Sequence, residues 1–193
     1  MTVTLKGKYK GSASVSFKIT PKHITPTITI LPATLIYNGK ARKPSITVKD
    51  GSTALATSSY TVTYAKGRRN PGTYKVTVTL KGNYVGTKAA TFRINPKATK
   101  LSKLTSTTAK KLTVKWKKQS AQTSGYQIQY ATDSKFKKNK KTVTVKGAKK
   151  ISKTISGLKA GKKYYVRIRT YKKIGSKNLY SAWSKSKSIK VKK

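Results

Sequence analysis

Two carboxylates, Asp50 in VKDGS and Asp133 in ATDSK, and one imidazole, His23 in PKHITPT, are the only acids and the only histidine among 193 residues, and the chain has neither Glu nor Cys. Paired-carboxylate acid–base chemistry needs two carboxyl groups converging on one bond. Asp50 and Asp133 stand in separate turn-like contexts, which excludes it. Calcium and magnesium take several oxygen ligands, carboxylates among them, and zinc takes clustered Cys, His or acids. One histidine and two separated aspartates assemble no such site. A Ser-His-acid triad would have to use His23, which sits between Pro21 and Pro26 and reads as a surface linker residue. The composition thus offers no catalytic residue, no cofactor site and no metal site, and it points away from an enzyme.

What the chain does offer is positive charge. Forty-six Lys and Arg against two acids give a formal +44. Such a chain self-repels and attracts polyanions, releasing their counterions on contact, so affinity falls steeply with salt. The partners this implies are teichoic acids, glycosaminoglycan or mucin glycans, acidic lipid surfaces and, only non-specifically, nucleic acid. The same charge opposes self-association and implies a monomer. Within it, Arg167 and Arg169 are flanked by Tyr165 and Tyr171 and fall on the same strand face as Gln127 and Gln129. Tyr and Arg anchor interfaces and stack on sugars or bases. These six residues are the candidate binding patch, although an ordinary solvated outer face with cross-strand packing would read the same way. The basic run KFKKNKKTV at 135–143 reads as a solvated loop rather than a nucleic-acid arm.

The elements that must position these residues are strands. From about His23 to Lys97 the chain alternates at period two in TITI, TLIY, SITV, YTVTY, TYKVTVTL and AATFRI. NGK, KDGS, GRRNPG and KGNYVG separate these runs with turn-forming Gly, Asn, Asp and Pro. LPATL at 31–35 reads as a strand start with Pro32 at an edge. From Ala98 onward, KLTVKWKK places Leu112, Val114 and Trp116 on one face. GYQIQY directs Tyr126, Ile128 and Tyr130 inward, and YYVRIRTY directs Tyr164, Val166, Ile168 and Thr170 inward with Tyr165, Arg167, Arg169 and Tyr171 outward. SAWSKSKSIKV supplies a last strand. One wall buried and one wall wet is the logic of a β-sandwich. The fold class is all-β, with two tandem Ig-like sandwiches at 23–97 and 98–193.

A repeat precedes them. TVTLKGKYKG at 2–11 returns as TVTLKGNYVG at 77–86, and SASVSFKITPK at 12–22 aligns with TKAATFRINPK at 87–97. Residues 1–22 therefore read as the closing hairpin of a repeat whose beginning is missing. A lone hairpin is marginal in water, so Val3, Leu5, Phe17 and Ile19 are expected to find cover on the neighbouring Ig-like domain, or the segment to be mobile.

IYNGKARKPSITVKDG, SYTVTY and NPGTYKVTVTLKGNYVGTKAATFRI resemble the small Ig-like repeats of bacterial surface proteins, including the MBG and YDG types. LKAGKKYYVRI resembles the tyrosine corner of fibronectin type III domains, with Leu158 and Tyr164 at its two ends, Lys159-Ala160 in place of the frequent Pro, and Trp116 at the position of that family's second-strand tryptophan. Lys-rich, acid-poor domains of this kind are common in secreted or surface proteins of gut-dwelling Firmicutes. The resemblance implies a non-catalytic, cationic adhesion or spacer module, secreted or on a cell surface, that binds polyanions or a host cell-surface protein. It leaves a second reading, a released ligand of a host receptor, because the hormone irisin is a single domain of this type. A Lys–Asn isopeptide cross-link, a device of similar bacterial domains, is not expected with both acids in turns.

Overall fold

The computed structural model describes residues 2–193, which form two compact units. One comprises the N-terminal segment to Thr29 with Thr47–Thr63 and Thr77–Ala90; the other comprises Ile30–Ile46, Tyr64–Val76 and Thr91–Lys193. The described residues are all-β apart from one 3-10 turn at Thr57–Ser59. Among the described residues no helix is long and apolar enough to cross a membrane.

In chain order the first half contributes β1 (Thr2–Thr4), β2 (Ser12–Ser14), β3 (Lys22–His23), β4 (Thr27–Leu31), β5 (Thr34–Ile36) and β6 (Ser45–Asp50). It continues with β7 (Thr53–Ala54), β8 (Tyr60–Tyr64), β9 (Gly72–Leu80), β10 (Tyr84–Val85) and β11 (Thr87–Asn95). One sheet has the order β5-β11-β9-β8 and another β4-β6-β7. Pro32 lies in the turn between β4 and β5, where its missing N–H is asked for nothing; LPATL holds the end of β4 at Leu31, that turn, and the start of β5 at Thr34, so the expected strand start falls two residues after Pro32. His23 is exposed on the short β3, paired in parallel with β10.

The repeat is visible in three dimensions as well as in sequence. Leu5 N–H donates to Gly11 O at 3.0 Å, and Leu80 N–H donates to Gly86 O at 2.9 Å. Gly7 and Gly11 take φ of 77° and 138°, and Gly82 and Gly86 take 68° and 147°. These left-handed values favour glycine. The two hairpin turns share one conformation, but their surroundings differ. Val78, Leu80, Phe92 and Ile94 are at most 5% exposed, whereas Val3, Leu5, Phe17 and Ile19 are 52 to 74% exposed. The expected cover on the neighbouring domain is absent. Phe92 and Ile94 pack with Leu35 and against Ile30, Tyr37, Tyr64 and Tyr74, partners that lie earlier in their own repeat.

The second half folds as a sandwich. Strands β12 (Leu101–Thr105), β13 (Leu112–Trp116) and β16 (Ser152–Ile155) form one sheet in the order β12-β13-β16. Strands β14 (Gly125–Ala131), β15 (Lys141–Lys146), β17 (Lys163–Ile174) and β18 (Lys177–Tyr180) form the other in the order β15-β14-β17-β18, with β19 (Lys187–Lys190) also paired to β17. Inward residues of both sheets meet in one core that includes Leu112, Val114, Trp116, Tyr126, Ile128, Tyr164, Val166 and Ile168. The Tyr164 hydroxyl accepts the Lys159 N–H at 3.2 Å, closing the corner that begins at Leu158. The Trp116 and Tyr126 rings lie 5.1 Å apart.

Two matched truncations test the asymmetry of the repeat. Phe92→Ala removes a fully buried ring and is expected to cost about 3–5 kcal/mol. Phe17→Ala, at the equivalent position of the exposed hairpin, is expected to change stability by no more than about 0.5 kcal/mol. Urea denaturation of both variants decides, and a cost at Phe17 near that at Phe92 contradicts the exposed hairpin.

Candidate binding site

The antiparallel pairing of β14 with β17 sets Gln127 opposite Arg169 and Gln129 opposite Arg167, with Gly125 opposite Tyr171 at one end and Ala131 opposite Tyr165 at the other. Period-two alternation puts all of these on the sheet face turned away from the core. Arg167 donates from Nε and Nη2 to Gln129 Oε1 at 2.9 and 2.5 Å. Arg169 repeats the pattern onto Gln127 Oε1 at 2.8 and 2.6 Å. Gln129 is oriented in turn by donating from Nε2 to Thr142 Oγ1 at 3.2 Å. Four of the six candidate residues therefore come together as two guanidinium–amide pairs.

Both guanidiniums are also enclosed by rings. Arg169 Cζ lies 3.8 Å from the Tyr180 centroid and 4.3 Å from that of Trp183. Arg167 Cζ lies 4.7 Å from Trp183 and 4.2 Å from Phe136. Trp183 thus stacks between two cations, and the sequence Tyr180, Arg169, Trp183, Arg167, Phe136 alternates ring with guanidinium. Burial pulls both arginines below the ordinary guanidinium value; for Arg169, Tyr180 opposes that fall and Arg167 adds to it. Both stay charged, because a guanidinium does not lose its proton in a protein.

Two local devices deliver these rings. Ser181 Oγ accepts the Thr170 N–H at 3.1 Å while its own N–H donates to Thr170 O. Ser184 does the same with Ile168, accepting at 3.1 Å and donating at 2.8 Å. The serines substitute for a regular ladder, so residues 181–186 are not strand and the last strand is only Lys187–Lys190. That departure from the expected SAWSKSKSIKV strand leaves Trp183 on the arginines. Phe136 arrives through the basic run, whose loop is organised by Asp133: its carboxylate accepts the N–H groups of Lys135 at 3.0 Å, Lys137 at 3.0 Å and Lys138 at 2.5 Å. Phe136 is buried at φ 56°, a region rarely populated by aromatic residues. Residues 135–140 of the run are loop as expected, Lys141–Val143 open β15, and the run's second residue is a core-like anchor.

Tyr171 is only 6% exposed. Its ring lies over Gly125, where an added Cβ would meet it at 2.8 Å, and 6.3 Å from the Tyr180 ring. Tyr165 is half-buried with Lys163 Nζ 5.4 Å from its centroid. The outer face along β14 and β17 is therefore partly covered rather than fully wet. Phe136, Tyr180 and Trp183 are missing from the sequence-derived set; the one signal for Trp183 was an aromatic between two serines in a segment otherwise polar. Chemically the arrangement fixes two cations with amide oxygens and π faces, and it leaves neither Arg167 nor Arg169 with an open Nε edge.

Trp183→Ala removes the ring shared by both cations and is expected to cost about 2–4 kcal/mol, with loss of near-UV circular dichroism. Full retention of stability would contradict the stacked assignment. The Asp133 carboxyl is held below its ordinary value, first by the Lys138 N–H and then by the Lys137 and Lys135 N–H groups, against opposing desolvation. A carboxyl lowered in the folded state contributes stability that is complete above the unfolded value, about pH 4, and is lost as pH falls through the folded one. NMR signals of the Lys135–Lys138 amides are accordingly expected to hold steady down to about pH 4 and to move only below it. Movement between neutral pH and that point would contradict the capping role.

Comparison with known proteins adds the family. Residues 95–187 match the fibronectin type III domain model. No curated protein matches the chain. Among solved structures, the fibronectin type III domain of human collagen alpha-1(XX) chain is 24% identical, with TM-score 0.41, over 50% of this chain and 85% of that one. The chicken CNTN1 fragment FN1–FN3 is 19% identical, with TM-score 0.41, over 64% and 42% respectively. A structure described as a myokine is 14% identical, with TM-score 0.39, over 50% of this chain and all of that one. The matched family model, the two-sheet core and the Leu158–Tyr164 corner agree: residues 95–187 form a fibronectin type III domain.

Proposed function

We propose that the chain is a non-catalytic, cationic adhesion or spacer module of an exported bacterial protein, in which β-domains present a basic surface to polyanions outside the cell. The observation that carries this reading is the charge imbalance and the fate of its few acids. Forty-six basic side chains face two carboxylates. Asp50 accepts from Lys22 Nζ at 2.7 Å, and Asp133 is occupied by its own loop's N–H groups. Nearly the whole positive charge is thus without an internal counter-charge. Thirty of the basic residues lie in 97–193, and lysines such as Lys137, Lys140, Lys149 and Lys153 are exposed. Exposed charge of one sign attracts anionic polymers through counterion release. Teichoic acids, glycosaminoglycans and mucin glycans fit that chemistry, and nucleic acid fits it without sequence preference.

Binding to heparin, teichoic acid and duplex DNA is expected for the intact chain, with affinity falling at least about a hundredfold between roughly 50 and 200 mM salt. Lys137→Gln/Lys140→Gln is expected to flatten the salt slope by up to about two units, because each exposed lysine contributes separately. Absence of binding to all three polymers at low salt would reject the reading. Tight, salt-tolerant capture of one host protein would replace it with that of a released receptor ligand.

A further inference from the structure

Resting on the polyanion-binding reading, we propose that the loops carrying Arg42 and Arg68 form an oxyanion site, taking a sulfate or phosphate ester group of the bound polymer. The chain has six arginines among its 46 basic residues, and their placement is uneven. Arg167 and Arg169 are spent on Gln129 and Gln127. Arg93 stands alone on β11. The other three, Arg42, Arg68 and Arg69, fall in two loops that the structure fastens together. Arg42 N–H donates to Arg68 O at 3.0 Å, and Tyr64 Oη donates to Pro44 O at 3.1 Å. Tyr74 Oη braces the second loop by bonding Gly67 O at 2.9 Å and Asn70 O at 2.8 Å. Lys43 Nζ and Arg68 Cζ lie 5.9 and 5.4 Å from the Tyr64 ring centroid, which adds a third cation to the cluster.

The second observation concerns the donors themselves. Arg68 Nη1 donates to Ala65 O at 3.1 Å, so that one corner of the guanidinium is held. The Nε of Arg68 and the Nε of Arg42 are both buried and meet no acceptor. A buried donor without an acceptor is an unfavourable state, and here the same molecule supplies the comparison, since Arg167 and Arg169 each give Nε an amide oxygen. Two guanidiniums whose buried Nε–H groups lack an acceptor, with no carboxylate partner among the described residues, are the donor type that takes sulfate and phosphate oxygens in pairs. An oxyanion held by both would give each Nε–H, on rotation of its guanidinium, the acceptor it lacks. Lysine, a compact point charge, does not offer that fork.

The test uses the intact chain. In wild type, the Arg Nε–H NMR signals of Arg42 and Arg68 are expected to shift saturably on titration with inorganic sulfate or inorganic phosphate, while those of Arg167 and Arg169 stay in place. Heparin and polyphosphate in parallel titrations then distinguish a sulfated from a phosphorylated source. Arg42→Lys/Arg68→Lys keeps the net charge and is expected to lower affinity for the preferred polymer about tenfold at about 150 mM salt. Lys140→Gln/Lys149→Gln, which removes two exposed charges, is expected to lose less. Equal loss in the two variants, no Nε shift, or the same shift at all four arginines would overturn the proposal while leaving general polyanion binding intact. Failure of wild type to bind either polymer at low salt would instead remove the reading on which it rests.

Discussion

A cation enclosed by protein needs an acceptor, and this chain has almost no carboxylates to give it one. That constraint shapes the fibronectin type III half. The two guanidiniums on its outer sheet are satisfied by neutral groups, amide oxygens at the edge and aromatic faces above and below. Each amide offers one oxygen on which both N–H groups of the fork converge, where a carboxylate would offer two, and it brings less charge to offset desolvation. The three rings make up part of the difference by presenting the negative face of their quadrupoles. Ser181 and Ser184 then become structural necessities, because they bend the chain off the ladder and bring Trp183 to the stack. Asp133, one of only two acids, is likewise used for geometry: it holds the loop that carries Phe136.

The same scarcity separates two kinds of positive charge on the molecule. Lysines project on long flexible stems into water, where salt screens them and no single geometry is required. Arginines are few and are placed where loops or strands constrain them. At Arg167 and Arg169 the constraint is met from within the protein. At Arg42 and Arg68 it is left open at Nε. Diffuse lysine charge and a few placed guanidiniums are therefore different electrostatic elements, the first set by number and the second by geometry.

Much of the fold was legible because strand alternation and turn chemistry are local. Leu112, Val114, Trp116, Tyr126, Ile128, Tyr164, Val166 and Ile168 were all assigned inward by period two, and each is buried in the sandwich core. The Leu158–Tyr164 corner was legible because its hydrogen bond joins residues close in sequence. The covered outer face was not legible, for a physical reason: alternation says which side a residue takes, not what later segment lies over it. Tyr171, placed outward correctly, is nonetheless buried by Gly125 and Tyr180. Phe136 was hidden in a run of lysines, where only the Asp133 cap and a left-handed backbone turn it inward. Trp183 was hidden because two serine side chains imitate a strand's hydrogen bonds without being one.

The exposed N-terminal hairpin shows the complementary limit. Its turn has the conformation of the turn at 81–86, with the same glycine geometry and the same closing hydrogen bond, so local sequence alone determines that much. Burial is a different matter, since Phe92 and Ile94 owe theirs to Leu35, Tyr37 and Tyr64, residues that lie earlier in the repeat and are distant in sequence. The identical types at Phe17 and Ile19 are exposed. A hairpin can therefore keep its shape from a few hydrogen bonds and two glycines while gaining almost none of the apolar burial that stabilises its twin, and the difference between the two copies lies wholly in the strands that stand opposite them.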